Sequence, residues 1–256
     1  MIEIPIIAII TKLLTIGVRL SGLMLFAPFF GSVVIPVRVK AILVFALTLM
    51  LYPAVGQTVD SHVIANWPMV VITEFLVGAG MGIATNVVFE AVQLSGQVLG
   101  IQMGYSLVNI LDPQTQVDTT VMATFYQCIV MLLFLRMDVH LWILRAIGNS
   151  YRDVPPGTAH LSSLFTLSVI STVGEAFSLG VQIAAPVLSA TLAADIILGL
   201  LGKASPQMPL MLLGPAVKSV LGIMVLIVTL KYWPDLFRRL FMDSMANGER
   251  LFHLAG

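Results

Sequence analysis

Six ionisable side chains lie inside long apolar runs of the sequence. Charged groups at membrane depth are costly, and they usually mark a path for protons or ions or a pairing of charges. Two kinds of chemistry therefore fit them: a proton relay, or ion pairs that are buried within the chain or between subunits. We favour ion pairs, either buried or between subunits, over the relay, and we assign the six charges to pairing between subunits, although the spacing alone is compatible with both kinds of chemistry. The six residues are Lys12, Arg19, Glu74, Glu90, Glu175 and Asp195.

No arrangement of residues indicates an enzyme. The sequence has no nucleophile–base arrangement, no phosphate loop and no spacing of metal ligands, and Cys128 is its only cysteine. The motif GAGMGI at positions 78–83 resembles a dinucleotide fingerprint, but position 83 is Ile where that motif needs glycine. We interpret its glycines as helix-packing positions. We expect no catalytic residue, no metal and no cofactor.

The composition predicts a protein of the membrane. Of the 256 residues, 58% are hydrophobic and 10% are charged, whereas a soluble domain has about 25% charged residues. The net charge is zero at pH 7, which excludes a field that gathers nucleic acid. We therefore expect an integral protein of a membrane or a membrane complex, in contact with lipid.

Apolar runs of about the length of a membrane span predict an all-α fold of hydrophobic helices. We place a break at Gly180 and Pro186, so that the longest run forms two helices. Segment 98–111 is too short to cross a bilayer, which predicts a broken or re-entrant helix. The tail from Pro234 is amphipathic and suits a helix along a membrane or protein surface. The apolar runs are 5–30, 39–55, 67–92, 121–148, 163–202 and 210–232.

The distribution of charge along the chain is uneven. Positions 41–135 contain no Lys or Arg, so the positive-inside rule does not set the topology there. We expect neighbouring subunits to hold that half of the molecule. At the N-terminus, Glu3 stands where a signal peptide has positive charge, and Lys12 and Arg19 interrupt the apolar run. We expect this segment to belong to the mature protein.

A ladder of glycines begins the most unusual stretch, GQVLGIQMGYSLVNILDPQTQVDTT at positions 96–120. Gly96, Gly100 and Gly104 form two overlapping G-x-x-x-G steps on one helix face. Such a stripe lets another backbone approach closely, either within the chain or in a partner subunit, or it serves as a flexible element.

The same stretch then turns polar. We expect Asn109, Asp112 and Pro113 to end the helix, because proline disfavours helical geometry in the residue before it. The polar run 114–120 would leave polar groups unpaired in lipid. The stretch therefore predicts an apolar finger with a polar loop that points into a channel or an interface.

Five stretches carry a family resemblance over nearly the whole chain. They are VRLSGLMLFAPFFGSVVIPVRVKAILVFALTLMLYP (18–53), GQVLGIQMGYSLVNILDPQT (96–115), HLWIL (140–144), LGLLGKASPQ (198–207) and GPAVKSVLGIMVLIV (214–228). Together and in this order they resemble the FliR/SctT family of type III secretion export-gate proteins. The QMG step at 102–104 and the Asp-Pro step at 112–113 favour the flagellar branch.

The resemblance implies a role, partners and a domain order. Proteins of this family join FliP and FliQ in the entry channel of the export apparatus, in the bacterial inner membrane at the flagellar basal body, together with FlhB and FlhA. Unfolded flagellar substrates pass through that channel. The resemblance further implies a FliP-like part over 1–160, a FliQ-like helical hairpin over 161–233 and an amphipathic tail over 234–256.

The resemblance also implies a channel plug. In the family, the segment that matches 105–119 projects into the channel and limits leakage, and the three glycines would be packing or hinge positions at its base. Some family members have Phe where this chain has Leu107 and Ile110, so its apolar tip is less bulky. The predicted plug residues are Tyr105, Ser106, Leu107, Val108, Asn109, Ile110, Leu111, Asp112 and Pro113.

Two other functions remain open at this level. The first is the injectisome subunit of the SctT type, which belongs to a related secretion machine. The second is a stand-alone secondary transporter, with broken helices at Pro186 and Asp112 and membrane carboxylates as coupling sites. Transporters of that kind have related halves, and no internal repeat is visible here. A transporter would also work without FliP and FliQ.

Overall fold

The computed structural model is all-helical in the residues that it describes, which confirms the predicted fold class. The described residues are 3–32, 34–55, 67–105, 120–155, 158, 163–205, 207 and 210–255. Their helices are α1 (Glu3–Phe26), α2 (Val37–Val55), α3 (Trp67–Gln102), α4 (Val121–Arg136), α5 (Val139–Asp153), α6 (Ser163–Ala204), α7 (Leu210–Leu230) and α8 (Trp233–Ala255).

Five helices of the described part are long and apolar enough to cross a membrane: α1, α2, α3, α6 and α7. Helices α4 and α5 would add a sixth crossing if they are counted as one span, although a bend of 62° separates them. At this bend Asp138 has a φ of 55°, a left-handed conformation that Asp tolerates better than most residues. The single apolar run expected over 121–148 is therefore broken.

Two predicted breaks are wrong. Helix α6 is one helix of 42 residues with Pro186 inside it, because proline is tolerated in apolar helices whose neighbours compensate for the lost hydrogen bond. Gly180 serves packing instead: a Cβ there would lie 2.9 Å from the carbonyl oxygen of Ala91. Likewise α3 runs without interruption through Gln102, so residues 98–102 do not begin a separate short helix.

The chain forms two compact units, and residues of α3, α6 and α8 are divided between them. Unit 1 contains Met1–Val87, Asp138–Gly174 and Leu240–Gly256, and unit 2 contains Val88–Met137 and Glu175–Arg239. The sequence-based division at positions 160 and 233 stays a prediction.

Unit 1 is built on the close approach of α1 and α3. A Cβ on Gly22 would collide with the backbone of Phe75, and one on Gly78 would collide with the backbone of Arg19. Farther along α3, a Cβ on Gly82 would lie 2.8 Å from the Cβ of Phe26. These contacts confirm that glycines of the GAGMGI motif are helix-packing positions.

The amphipathic tail forms α8, and its apolar face is covered by the chain itself. In unit 1, the Ser244 hydroxyl donates to the carbonyl oxygen of Ala84. In unit 2, the rings of Trp233 and Tyr126 lie edge to face, with centroids 4.8 Å apart. The polar face, including Arg238 and Arg239, is exposed.

Replacing Gly78 by alanine is expected to destabilise unit 1 by about 1–3 kcal/mol, because the new methyl group collides with backbone that has no way to move aside. Gly174, a helical glycine of the same unit with nothing within 4 Å of its Cβ position, is the matched control. Gly174→Ala is expected to be neutral or to stabilise by up to about 1 kcal/mol. The comparison is the apparent melting temperature of each purified variant in detergent, and equal values for both variants would contradict the packing account.

Candidate functional site

A buried ion pair forms the charged centre of unit 1. Nε of Arg19 lies 2.6 Å from Oε2 of Glu74, and both side chains are 0% exposed. The guanidinium also donates to Oγ of Ser150 (3.1 Å) and to the carbonyl oxygen of Val154 (3.0 Å). Its Cζ lies 4.3 Å from the ring centroid of Tyr151, which is a cation–π distance. Arg19 of α1 is thereby joined to α3 and to the end of α5.

This pair corrects the expectation for two of the six ionisable residues. Arg19 and Glu74 were expected to pair between subunits, but they pair with each other inside the chain and are fully buried. Gly78 explains why: it lies one turn after Glu74 and lets the backbone of α1 come into contact with α3. The two side chains then reach each other across a short distance.

The other four ionisable residues occupy different environments. Lys12 is half-buried, and Glu90 and Glu175 are exposed on the isolated chain. Asp195 forms an ion pair inside the chain, with Lys218. Pairing of Lys12, Glu90 and Glu175 with other subunits stays a prediction.

In unit 2, α3 ends in a glycine cap. Gly104 has a φ of +86°, and its N–H donates to the carbonyl oxygen of Ile101 (3.1 Å). The N–H of Tyr105 donates to the carbonyl oxygen of Gly100 (2.9 Å). These two bonds define a Schellman motif with glycine at C′. Helix α3 therefore ends at Gln102, because Gly104 takes up the left-handed conformation that ends it. Asn109, Asp112 and Pro113, which were expected to end the helix, lie outside the described residues.

The other two glycines of the ladder face the start of α4. A Cβ on Gly96 would collide with the backbone of Ala123, and one on Gly100 would collide with the side chain of Thr120. Oγ1 of Thr120 donates to the carbonyl oxygen of Gly96 (3.1 Å) and accepts from the N–H of Ala123 (3.2 Å), which caps α4. The ladder thus packs against the chain's own helix.

One face of α7 holds the end of α3. Pro215, Ser219 and Gly222 share this face at positions i, i+4 and i+7. The Cβ of Pro215 lies 2.8 Å from where a Cβ of Gly104 would be, and the Ser219 hydroxyl donates to the carbonyl oxygen of Met103 (3.0 Å). Gly222 leaves the space that the Met103 side chain fills.

A polar network also lies at the end of α3. Oδ2 of Asp195 accepts a hydrogen bond from Nε2 of Gln102 (2.7 Å), the last residue of α3. Oδ1 of Asp195 lies 3.0 Å from Nζ of Lys218, with side-chain exposures of 40% for Asp195 and 18% for Lys218. We call these three residues the Gln102–Asp195–Lys218 network. It connects α3, α6 and α7.

The structure describes the base of the predicted plug and not its tip. Tyr105, the first residue of the segment, is described, and Thr120 is the first described residue after it. Residues 106–113, which complete the predicted plug, lie outside the described residues. Both ends of the segment are anchored in unit 2, Tyr105 by the glycine cap and Thr120 by its contacts with Gly96.

Sequence reasoning missed several of these partners. Thr120 carried a signal, because a threonine directly before an apolar helix is a typical N-cap. Ser150, Lys218 and Ser219 carried none: their partners Arg19, Asp195 and Met103 lie 131, 23 and 116 residues away, and no local pattern links such positions.

Fold and site together define an integral membrane protein of apolar helices. Its fully buried charges, Arg19 and Glu74, neutralise each other inside the chain. Among the described residues, no group of three or more His, Cys, Asp and Glu side chains is placed to hold a metal ion. Residues 10–244 match the sequence model of the family described as bacterial export proteins, family 1. The chain belongs to this family.

Named relatives of this chain support the same family assignment. The chain is 28% identical to the flagellar biosynthetic protein FliR of Pectobacterium carotovorum over 228 residues, which cover 88% of this chain and 87% of that protein. It is 27% identical to FliR of Escherichia coli K12 over 80% of this chain and 78% of that protein. With FliR of Bacillus subtilis 168 it shares 23% identity over 95% of both chains. The resemblance to FliR that the sequence motifs indicate is confirmed.

Proposed function

We propose that this protein is a core subunit of the flagellar type III protein export gate and builds the entry channel with FliP and FliQ. The match of residues 10–244 to the export family carries the proposal, and the relatives named flagellar biosynthetic protein FliR support its flagellar branch. In this role the protein is a structural and gating subunit of the bacterial inner membrane, and not an enzyme. FlhA, FlhB and unfolded flagellar substrates are its further partners.

The exposed apolar surface supports an assembly with other subunits. Only 6% of Val37–Val55 in α2 and 17% of Leu213–Leu230 in α7 is buried within the chain. Exposed large side chains such as Phe45, Phe177 and Ile196 need an apolar neighbour. Lipid supplies part of this cover, and helices of FliP and FliQ supply the rest.

The segment 105–119 is, in this proposal, the plug of the channel. Its support is the geometry of its base, where close packing leaves no room at Gly96 and Gly100. A glycine ladder with free space around it would act as a hinge. Here Ala123 and Thr120 occupy the space beside Gly96 and Gly100. Close packing at Gly96 and Gly100 therefore mounts the segment on the end of α3 and the start of α4.

Co-expression separates an export-gate subunit from a stand-alone transporter. An affinity-tagged copy is expected to co-purify with FliP and FliQ in detergent and to be degraded when the two are absent. The control is an unrelated polytopic membrane protein with the same tag, which retains neither partner. A chain that accumulates to the same level without FliP and FliQ, and that does not retain them, would contradict the proposal.

A further inference from the structure

We propose that the Gln102–Asp195–Lys218 network is a latch that positions the end of α3, and with it the base of the plug. The inference rests on the proposed function, because it assigns a task to residues at the plug's mount. Asp195 is the positioning residue, since each of its two carboxylate oxygens contacts a different helix.

The geometry of Asp195 fits a coupling between helices. Its hydrogen bond to Gln102 is 2.7 Å long and reaches the final residue of α3, directly before the turn that leads to the plug. Its contact with Lys218 reaches α7 at 3.0 Å. Hydrogen bonds to a charged group are shorter and stronger than neutral ones. A displacement of α6 relative to α7 would therefore shift the end of α3.

A second set of contacts makes the same connection. Ser219, the neighbour of Lys218, donates to the carbonyl oxygen of Met103, and Pro215 one turn earlier lies against Gly104. The side chain of Gln102 is thus held by α6 and the backbone of Met103 by α7. Helices α6 and α7 together therefore position the end of α3.

The Gln102–Asp195–Lys218 network is more exposed than the ion pair of unit 1. The side chains of Asp195 and Lys218 are 40% and 18% exposed, whereas both partners of the unit 1 pair are 0% exposed. Loss of one partner of the network therefore does not leave a charge fully enclosed by the chain. Asp195 and Lys218 nevertheless lie in helices that are long and apolar enough to cross a membrane, where ionisable residues are rare and commonly functional. We therefore expect loss of the network to alter gating and to leave folding unchanged.

The experiment measures ion conductance of the complete complex with FliP and FliQ in planar lipid bilayers. Asp195→Asn and Lys218→Met are each expected to raise the open probability of the closed gate about tenfold, as the loss of a charge-assisted contact does in a two-state equilibrium. Asp195→Glu, which keeps the carboxylate, is expected to restore the closed state. Lys203→Met is the matched control for Lys218→Met, because Lys203 is an exposed lysine at the end of α6.

Complex yield and apparent melting temperature are measured on the same variants. Higher conductance with unchanged yield and melting temperature supports the latch. Wild-type conductance in Asp195→Asn and Lys218→Met, while a complex that lacks residues 106–113 does leak, overturns the latch and leaves the plug intact. A lower melting temperature or loss of assembly in Asp195→Asn overturns it as well, because the network would then be structural. If the complex that lacks 106–113 does not leak, the plug itself is overturned.

Discussion

Replacing Arg19 by methionine is expected to destabilise unit 1 by about 3–5 kcal/mol and to remove most of the folded protein from the membrane. The substitution leaves the carboxylate of Glu74 buried without its charged partner, and an uncompensated buried charge is strongly destabilising. It also removes the donors to Ser150 and Val154. The measurements are the level of the protein in membranes and its apparent melting temperature in detergent.

Two further variants test whether the pair itself is responsible. Replacing both partners (Arg19→Met with Glu74→Met) is expected to cost less than the two single changes added together, because neither charge is then left alone. Arg145→Met is the matched control, since Arg145 is an exposed arginine of the same unit and its loss should have little effect. Equal melting temperatures for Arg19→Met and Arg145→Met would contradict the assigned role of the pair.

Deletion of residues 106–113 is expected to produce the largest change in gating: a sustained ion leak through an assembled complex. An apolar constriction closes a pore by excluding water, and the deletion removes the apolar tip. The contacts of Gly96, Gly100 and Thr120 that mount the segment lie outside the deletion, so assembly with FliP and FliQ is expected to persist. Conductance in planar bilayers and the yield of the co-purified complex are the two measurements.

Bulkier side chains at the tip are expected to have the opposite effect. Leu107→Phe combined with Ile110→Phe adds apolar volume, so the residual leak of the wild-type complex should fall. Replacement of 106–113 by a Gly-Ser segment of equal length should leak as the deletion does, which separates the effect of apolar character from that of length. Unchanged conductance in the deletion would refute the plug assignment.

Hydropathy predicted which parts of the described chain are helical, and it did not predict where the individual helices begin and end. Apolar runs located α1, α2 and α7 because lipid and apolar protein select the same side chains. The break predicted at Pro186 did not occur, since tertiary context overrides the intrinsic cost of proline in a helix. Conversely, the bend at Asp138 has only the weak signal of three alternating polar residues, Arg136, Asp138 and His140, within an apolar run.

The site was predictable in its residue types and not in its pairings. Arg19 and Glu74 stood out as charges in apolar runs, but a separation of 55 residues leaves their partnership to tertiary structure. Gly104 fits two patterns equally well, the third step of a packing ladder and the C′ glycine of a helix. Only the backbone geometry, with its φ of +86°, distinguishes the cap from the ladder.

The export-gate assignment is tested most directly by a clean deletion of the gene, with hook, filament and any effector proteins assayed in the culture medium. The account predicts that hook and filament proteins disappear from the medium, that effectors remain at wild-type levels, and that a plasmid-borne copy restores export. Loss of effectors with normal flagella would move the protein to the injectisome branch. Normal export of hook and filament proteins by the deletion strain would contradict the account.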